Sequence, residues 1–236
     1  MQDQKLEDRA EINRIRSVYD DYARDAGKQR AWADGTAHRF QLERKWACIR
    51  DRLAHESVTP GMSFILDLGA GTGTECPSLL GAGFRPERVI ALDLNAERLH
   101  AARNKHPWLR ALAGNGTMLP FRDETFDVVY QSTVISSVLD ATRRVAILRE
   151  AGRVLRSGGV LISYDTRYPN PWNRHTRPLP TAELRNALPG WNLSAISLTG
   201  IPQIIRPLSR ISLSLCRMVE AVPVLRSHLL VSARKP

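Results

Sequence analysis

One stretch constrains the fold more than any other: Phe64-Ile65-Leu66-Asp67-Leu68-Gly69-Ala70-Gly71-Thr72-Gly73-Thr74-Glu75. A short apolar run ends in an acid and passes into alternate glycines. Such a run reads as a buried parallel strand whose carboxyl end turns sharply toward a helix. Gly69 and Gly71 allow positive φ and let backbone amides approach a ligand with no Cβ in the way. Gly73 lets the following helix pack close to the strand. Asp67 sets a carboxylate at the strand's end, where open α/β sheets bind their ligands.

That turn suits a dinucleotide, a phosphate or S-adenosylmethionine, and a turn with no ligand is the competing reading. The dinucleotide pattern G-x-G-x-x-G requires a third glycine where Thr74 stands, and the phosphate loop G-x-x-x-x-G-K-[ST] is absent. A second apolar run, Arg88 to Asp93, also closes on an acid. Asp93 follows the glycines by about 20 residues, the place where Rossmann-type sheets hold the carboxylate that accepts both ribose hydroxyls. The competing role for Asp93 is the N-cap of a helix from Ala96 to Lys105, which Asn95 can also supply.

Composition narrows the field. A chain of 236 residues with 43% hydrophobic content buries a full core, and one α/β domain with an added cap fits that length. No stretch is long enough to span a membrane, and the polar start is no signal peptide. Cys48, Cys76 and Cys216 are scattered, which suggests neither zinc nor a disulfide framework and fits the reducing cytoplasm. The net charge of +10 raises nucleic acid or an acidic membrane as a partner. The arginines are dispersed, however, and no aromatic-basic RNA-binding signature is present, so nucleic acid is disfavoured. No carboxylate cluster has metal-ligand spacing, so metal-independent chemistry is expected.

The string Asp67 to Gly73 resembles motif I of the class I S-adenosylmethionine-dependent methyltransferases. Further segments carry the likeness in order. Gly114-Asn115-Gly116-Thr117-Met118-Leu119-Pro120-Phe121 is similar to the family's G-D-A-x-x-L-P-F, with Asn115 for Asp and Gly116 for Ala. Phe126-Asp127-Val128-Val129 opens a fourth strand, with Gln131 and Ser132 at its end. Arg153-Val154-Leu155-Arg156-Ser157-Gly158-Gly159-Val160-Leu161 resembles R-V-L-[KR]-P-G-G-x-L, its glycine pair reading as a helix cap and turn. The likeness covers about residues 62–165.

It implies an α/β fold: a doubly wound, mainly parallel seven-stranded sheet with its last strand antiparallel, under an N-terminal helical cap. Residues 1–58 form the cap or lid and 59–236 the Rossmann-like domain. It implies S-adenosyl-L-methionine as cofactor, S-adenosyl-L-homocysteine as product, and cofactor contacts at Asp67, Gly69, Ala70, Gly71, Gly73, Asp93, Leu94, Asn115, Gly116, Thr117, Gln131 and Ser132. Leu94 and Met118 are the expected apolar walls for adenine. The cap supplies lid candidates Tyr19, Tyr22, Trp32, His38 and Arg39, with core packing as the competing role for its aromatics.

The acceptor side falls to the stretch after the fifth strand, Tyr164 to His175, rich in prolines, asparagines and aromatic faces. Arg167, Tyr168, Asn170, Trp172, Asn173 and Arg174 there, with Tyr22 and Arg39 from the cap, are the substrate candidates; a capped loop anchored by Trp172 is the competing reading. Gln131 to Asp140 and Tyr164 to Asn173 also resemble segments of bacterial methyltransferases associated with glycan or secondary-metabolite modification. The expected reaction is O-methylation of a small polar acceptor, a sugar or natural product, with His175, Asp165 or His38 as base. The alternatives are a peptide or small-molecule carboxylate, RNA or DNA, and a non-catalytic cofactor-binding subunit. An amphipathic helix at Pro207 to Ala221 is apolar enough to form a homodimer face or a substrate wall.

Overall fold

The computed structural model describes residues 2–25, 35–171 and 173–236, with side chains described from Ala10 onward except that of Ala23. Trp32 and Trp172 lie outside the described residues. The apolar runs form strands whose alternate side chains feed two separate cores. In β1 (Ile65–Leu68), β4 (Phe126–Ser132) and β5 (Leu155–Thr166), residues Leu66, Leu68, Val129 and Leu161 join one cluster. Ile65, Val128, Tyr130, Val160, Ile162 and Tyr164 join the other. A strand buried on both faces reads as a continuous apolar run for this reason.

β2 (Val89–Asp93), β3 (Arg110–Ala113), β6 (Asn192–Gly200) and β7 (Arg226–Arg234) complete a 7-stranded sheet in the order β3-β2-β1-β4-β5-β7-β6. All neighbouring pairs from β3 to β5 are parallel, whereas β7 runs antiparallel to both β5 and β6. Layers of helices cover both faces. On one lie α2 (Thr36–His55), α3 (Cys76–Gly81) and α4 (Ala96–Lys105), contributing Trp46, Ile49, Leu79, Leu99 and Ala102 to the core. On the other lie α5 (Ala141–Val154) and α6 (Thr181–Ala187), contributing Leu148, Ala151 and Leu184. α1 (Gln2–Arg24) lies across the carboxyl ends of the strands. Arg14 donates to the Ser137 carbonyl at 2.7 Å and Arg16 to the Leu94 carbonyl at 3.1 Å.

Two local expectations give way. α5 ends at Val154, before the glycine pair. Gly158 and Gly159 instead form an irregularity inside β5, where the register with β4 shifts and the amide of Lys235 donates to the Gly159 carbonyl. A Cβ on Gly159 would stand 2.8 Å from the Arg156 carbonyl oxygen, so backbone crowding selects glycine there. The helix expected over Pro207 to Ala221 is two, α7 (Pro202–Leu208) and α8 (Leu213–Ala221). Ser212, in extended conformation, accepts from the Ser214 amide and starts the second helix afresh.

Arg144 of α5 is fully buried. Its guanidinium donates to the carbonyls of Ile135, Val138, Arg177 and Pro178 and forks onto Glu183. It thereby ties α5 to the turn after β4 and to the segment entering α6. Arg144→Ala strands those carbonyls and the Glu183 charge, and it should lower stability by about 3–5 kcal/mol. The shift of the urea midpoint at unchanged slope measures it.

Candidate active site

A cavity of about 870 Å³ opens at the carboxyl ends of the strands, beneath α1 and α2. That volume falls in the upper part of the range for small-molecule sites, which run to about 1,000 Å³. Its floor is the turn after β1. Gly69, Gly71 and Gly73 have φ of 79°, 54° and 69°, a region that costs a residue with a Cβ. At Gly69 a Cβ would also lie 2.2 Å from Val134 Cγ2. Gly73 itself does not line the cavity; its bare Cα lets Ala102 and His106 of the α4 region approach.

Asp93, buried at the end of β2, accepts from the Gly71 amide at 2.8 Å and, through its other oxygen, from the Asn95 amide at 2.8 Å. Each oxygen keeps a lone pair for a further donor. Asn95, not Asp93, caps α4, accepting from the amides of Glu97 and Arg98. Asn115 accepts from the Thr117 amide at 3.0 Å. Asp67 is 4% exposed and lines the cavity, and no described group donates to its carboxylate. Burial, and then the neighbouring Glu75 and Asp93 charges, push it up to about 8.

A second cluster carries no family motif. Lys45 of α2, 5% exposed, is paired with Glu75. Trp46 Nε1 and the Tyr130 hydroxyl also donate to Glu75. Burial acts to raise the Glu75 carboxyl, but Lys45 and these hydrogen bonds outweigh it and hold the group below the usual range. Lys45 also stands 4.7 Å over the Tyr164 ring, which stacks on His228 with centroids 4.7 Å apart. Burial, then Lys45, lower the His228 imidazole to about 3, so it is neutral. The Tyr164 hydroxyl meets Thr199 at 2.7 Å, and its carbonyl accepts from the Thr133 amide at 2.8 Å. Thr133 and Thr199 both have positive φ, 57° and 64°. A β-branched residue there is a conformational outlier, and such strain gathers at functional sites.

The structure brings together at this cavity Asp67, Gly69, Ala70, Gly71, Asp93, Leu94, Asn115, Gly116, Thr117, Ser132, Tyr22 and His38. It places others elsewhere. Gln131 and Asp165 point to the opposite side of the sheet, where Gln131 donates to Ser163 and Asp165 accepts from the Ser136 amide at 3.1 Å. His175, Arg174 and Arg39 are exposed and outside the cavity lining. Arg167 donates to the Pro223 carbonyl and covers the Tyr168 ring, Asn173 accepts from the His175 amide, and neither Asn170 nor Met118 borders the cavity. Strand parity divides them: Ser132 and Tyr164 are register partners on the sheet face that carries Lys45 and His228, while Gln131 pairs with Ser163 on the other face, with Asp165. Counting from buried Val128 and Val160 in steps of two would have kept Ser132, added Tyr164 and excluded Gln131 and Asp165.

The sheet order with β7 reversed between β5 and β6, a glycine turn after β1 and an acid after β2 define a Rossmann-like cofactor-binding domain. Residues 66–163 match the family model described as Methyltransferase domain. The chain is 32% identical over 162 residues to the demethylmenaquinone methyltransferase of Streptomyces avermitilis, covering 66% of this chain and 67% of that protein. Against the protein of the same name from Streptomyces griseus it is 35% identical over 125 residues, covering 53% and 51%. The chain thus spans about half to two thirds of the length of these relatives. Among solved structures, the YcgJ protein of Bacillus subtilis superposes with a TM-score of 0.60 at 14% identity, covering 82% of this chain and 98% of that one. An S-adenosylmethionine-dependent methyltransferase of Mesorhizobium loti gives 0.59 at 18% identity, covering 81% and 97%. Both share the fold. The chain belongs to the class I S-adenosylmethionine-dependent methyltransferases, and S-adenosylmethionine is its cofactor.

The cavity's own chemistry fits that cofactor. An unpartnered carboxylate at Asp67 suits an ammonium group, and the spare lone pairs of Asp93 suit vicinal hydroxyls. Two outcomes follow. Asp93→Ala should weaken S-adenosylmethionine binding about a hundredfold by calorimetry, the worth of two lost charge-assisted bonds. Asp67 has its pKa raised from 3.8 to about 8, so the folded state holds a proton that the unfolded chain releases. Its contribution to stability is complete below the unfolded pKa and declines as pH rises toward 8. Asp67→Asn should flatten the pH dependence of the urea midpoint between pH 5 and about 8, gaining on the wild type as pH rises.

Proposed function

We propose that the chain catalyses O-methylation of a small polar, hydroxyl-bearing acceptor held against Lys45, Ser132, Tyr164, Thr199 and His228, with His38 as the base. The observation that carries this reading is the constellation of a buried ammonium, hydroxyls and a neutral imidazole in the same cavity as the glycine turn. S-adenosylmethionine supplies a methyl carbon made electrophilic by its sulfonium. The chain's residues do the remainder. Asp67 and Asp93 hold the cofactor against the glycine turn, and the acceptor oxygen is fixed by the Lys45 ammonium and the Ser132 hydroxyl, which stand 3.4 Å apart. A ring nitrogen of His38, which lines the cavity from α2, takes the hydroxyl proton as the oxygen lone pair forms its bond to carbon. α1 and α2 exclude water, and alignment of the nucleophile about 3 Å from carbon supplies much of the rate. His175, Asp165 and the 167–174 loop serve structure in this reading, not chemistry. The three cysteines are free thiols, in keeping with a cytoplasmic setting.

A second reading is methylation at a ring carbon of a hydroxylated aromatic, favoured by the activity named for the Streptomyces relatives. Here Lys45 stabilises the phenolate, whose ring carbon displaces the methyl group from sulfur, and the proton on that carbon is then lost to His38 as aromaticity returns. Product analysis by mass spectrometry and NMR across sugar, phenol and quinol acceptors separates an O-methyl from a C-methyl product. For an O-methylated acceptor, His38→Ala should lower kcat about 10²-fold or more and remove the acidic limb of its pH profile, with cofactor affinity within twofold. Unchanged turnover with every acceptor removes His38 from the mechanism. Tight, steeply salt-dependent binding of RNA or DNA would replace the small-acceptor reading.

A further inference from the structure

The segment joining β6 to β7 carries an apolar stripe that the fold leaves uncovered. The inner side of α7 and α8 is buried: Ile205 and Cys216 pack with Ala37 and Phe40 of α2. The outer side is not. Ile211 is 76% exposed, Met218 66% and Val224 65%, with Leu215 and Val222 also exposed. Leu215 and Met218 stand on the outside of α8, with Ile211 in the turn just before it and Val222 just after its end. Arg206, Arg210 and Arg217 are exposed beside it, and none forms an ion pair with a described residue. The only acid between Ile201 and Leu225 is Glu220, which is buried and engaged by Arg44 and the Gly200 amide. The exposed surface of this segment is therefore apolar and cationic, with no exposed carboxylate.

Its position matters as much as its chemistry. β6 runs parallel to β5, because both are antiparallel to β7. The segment leaving β6 therefore emerges at the same end of the sheet as the active-site turns. Pro202 and Arg206 line the cavity, so the stripe begins at its rim.

We propose that the outer face of α8, with the turns on either side of it, docks the protein on an anionic lipid surface, with Ile211, Leu215, Met218 and Val222 entering the headgroup boundary and Arg206, Arg210 and Arg217 meeting lipid phosphates. Apolar side chains flanked by arginines on a helix lying in the membrane plane are the general design of interfacial helices, and the wholly cationic rim favours anionic over neutral headgroups. A second copy of the chain fits less well, because each copy would bring the same unneutralised arginines to the contact. Docking at this face sets the cavity rim against the bilayer, where a lipid-soluble or membrane-tethered acceptor enters without crossing water. The proposal stands independently of the position methylated.

The test is co-sedimentation of the full chain with vesicles of phosphatidylcholine alone and with 30% phosphatidylglycerol, in low and high salt. The expected result is binding to the anionic vesicles only, weakened by salt. Ile211→Ser with Met218→Ser, and separately Arg210→Glu with Arg217→Glu, should each lower the partition coefficient about tenfold or more, with S-adenosylmethionine affinity unchanged as the control for folding. Vesicle binding that neither pair alters would overturn the proposal, leaving only the diffuse attraction of a +10 chain. So would the absence of vesicle binding, or a concentration-dependent dimer in sedimentation equilibrium that the serine pair abolishes.

Discussion

The contact on which the arrangement turns is the buried ion pair of Lys45 with Glu75. One partner lies on α2 and the other at the end of the cofactor turn, so the pair joins two parts that the sequence separates by 30 residues. Withdrawing both charges from water costs several kcal/mol each, and the pair stands only because further groups satisfy it. Trp46 and Tyr130 complete the Glu75 shell, and the Tyr164 ring faces Lys45. Such a pair adds less to stability than its hydrogen bonds suggest, but it fixes position. Any rotation of α2 that moved Trp46 off Glu75 would leave a charge buried without a partner.

That fixed charge distribution also sorts the titrations around it. Glu75 has Lys45 beside it and stays ionised; Asp67 has the Glu75 and Asp93 charges and no donor, and so retains its proton. His228, buried and near Lys45, stays neutral. Neighbouring acids thus hold opposite protonation states because one cation is given to only one of them. A cationic cofactor entering this cavity supplies the charge that Asp67 lacks, so binding is coupled to release of a proton.

Legibility in the sequence follows the same physical lines. The central architecture was readable because a strand buried on both faces is an unbroken apolar run, and because glycines at Gly69 and Gly71 have few explanations besides a tight approach. Asp93 was readable by its distance from that turn. The contribution of α2 was not: Lys45 and Trp46 sit in a helix whose pattern announces only amphipathicity, and their partner Glu75 is far along the chain. The loop from Tyr164 to His175 drew attention by composition, yet among its described residues only Tyr164 borders the cavity. Composition identifies groups capable of chemistry; parity within β5 decides which of them face it. Arg144 escaped for a related reason. Nothing local distinguishes an arginine bound to carbonyls from one in solvent until the chain has closed around it.

The strained residues extend the argument from position to mechanism. Thr133 and Thr199 belong to different strand ends, but both are tied to Tyr164, one at its carbonyl and the other at its hydroxyl. Left-handed backbone at a threonine costs of order 1–3 kcal/mol, and no glycine relieves it at either position. The two strained turns bring the ends of β4 and β6 in around Tyr164, whose ring in turn lies between Lys45 and His228. Relaxing either turn would free the tyrosine to tilt and Lys45 to lose the aromatic face beneath it. The strain therefore acts as a clamp on ring orientation, spending conformational energy in two loops to keep a cation, an aromatic plane and a neutral imidazole in one fixed stack in the cavity that holds the glycine turn.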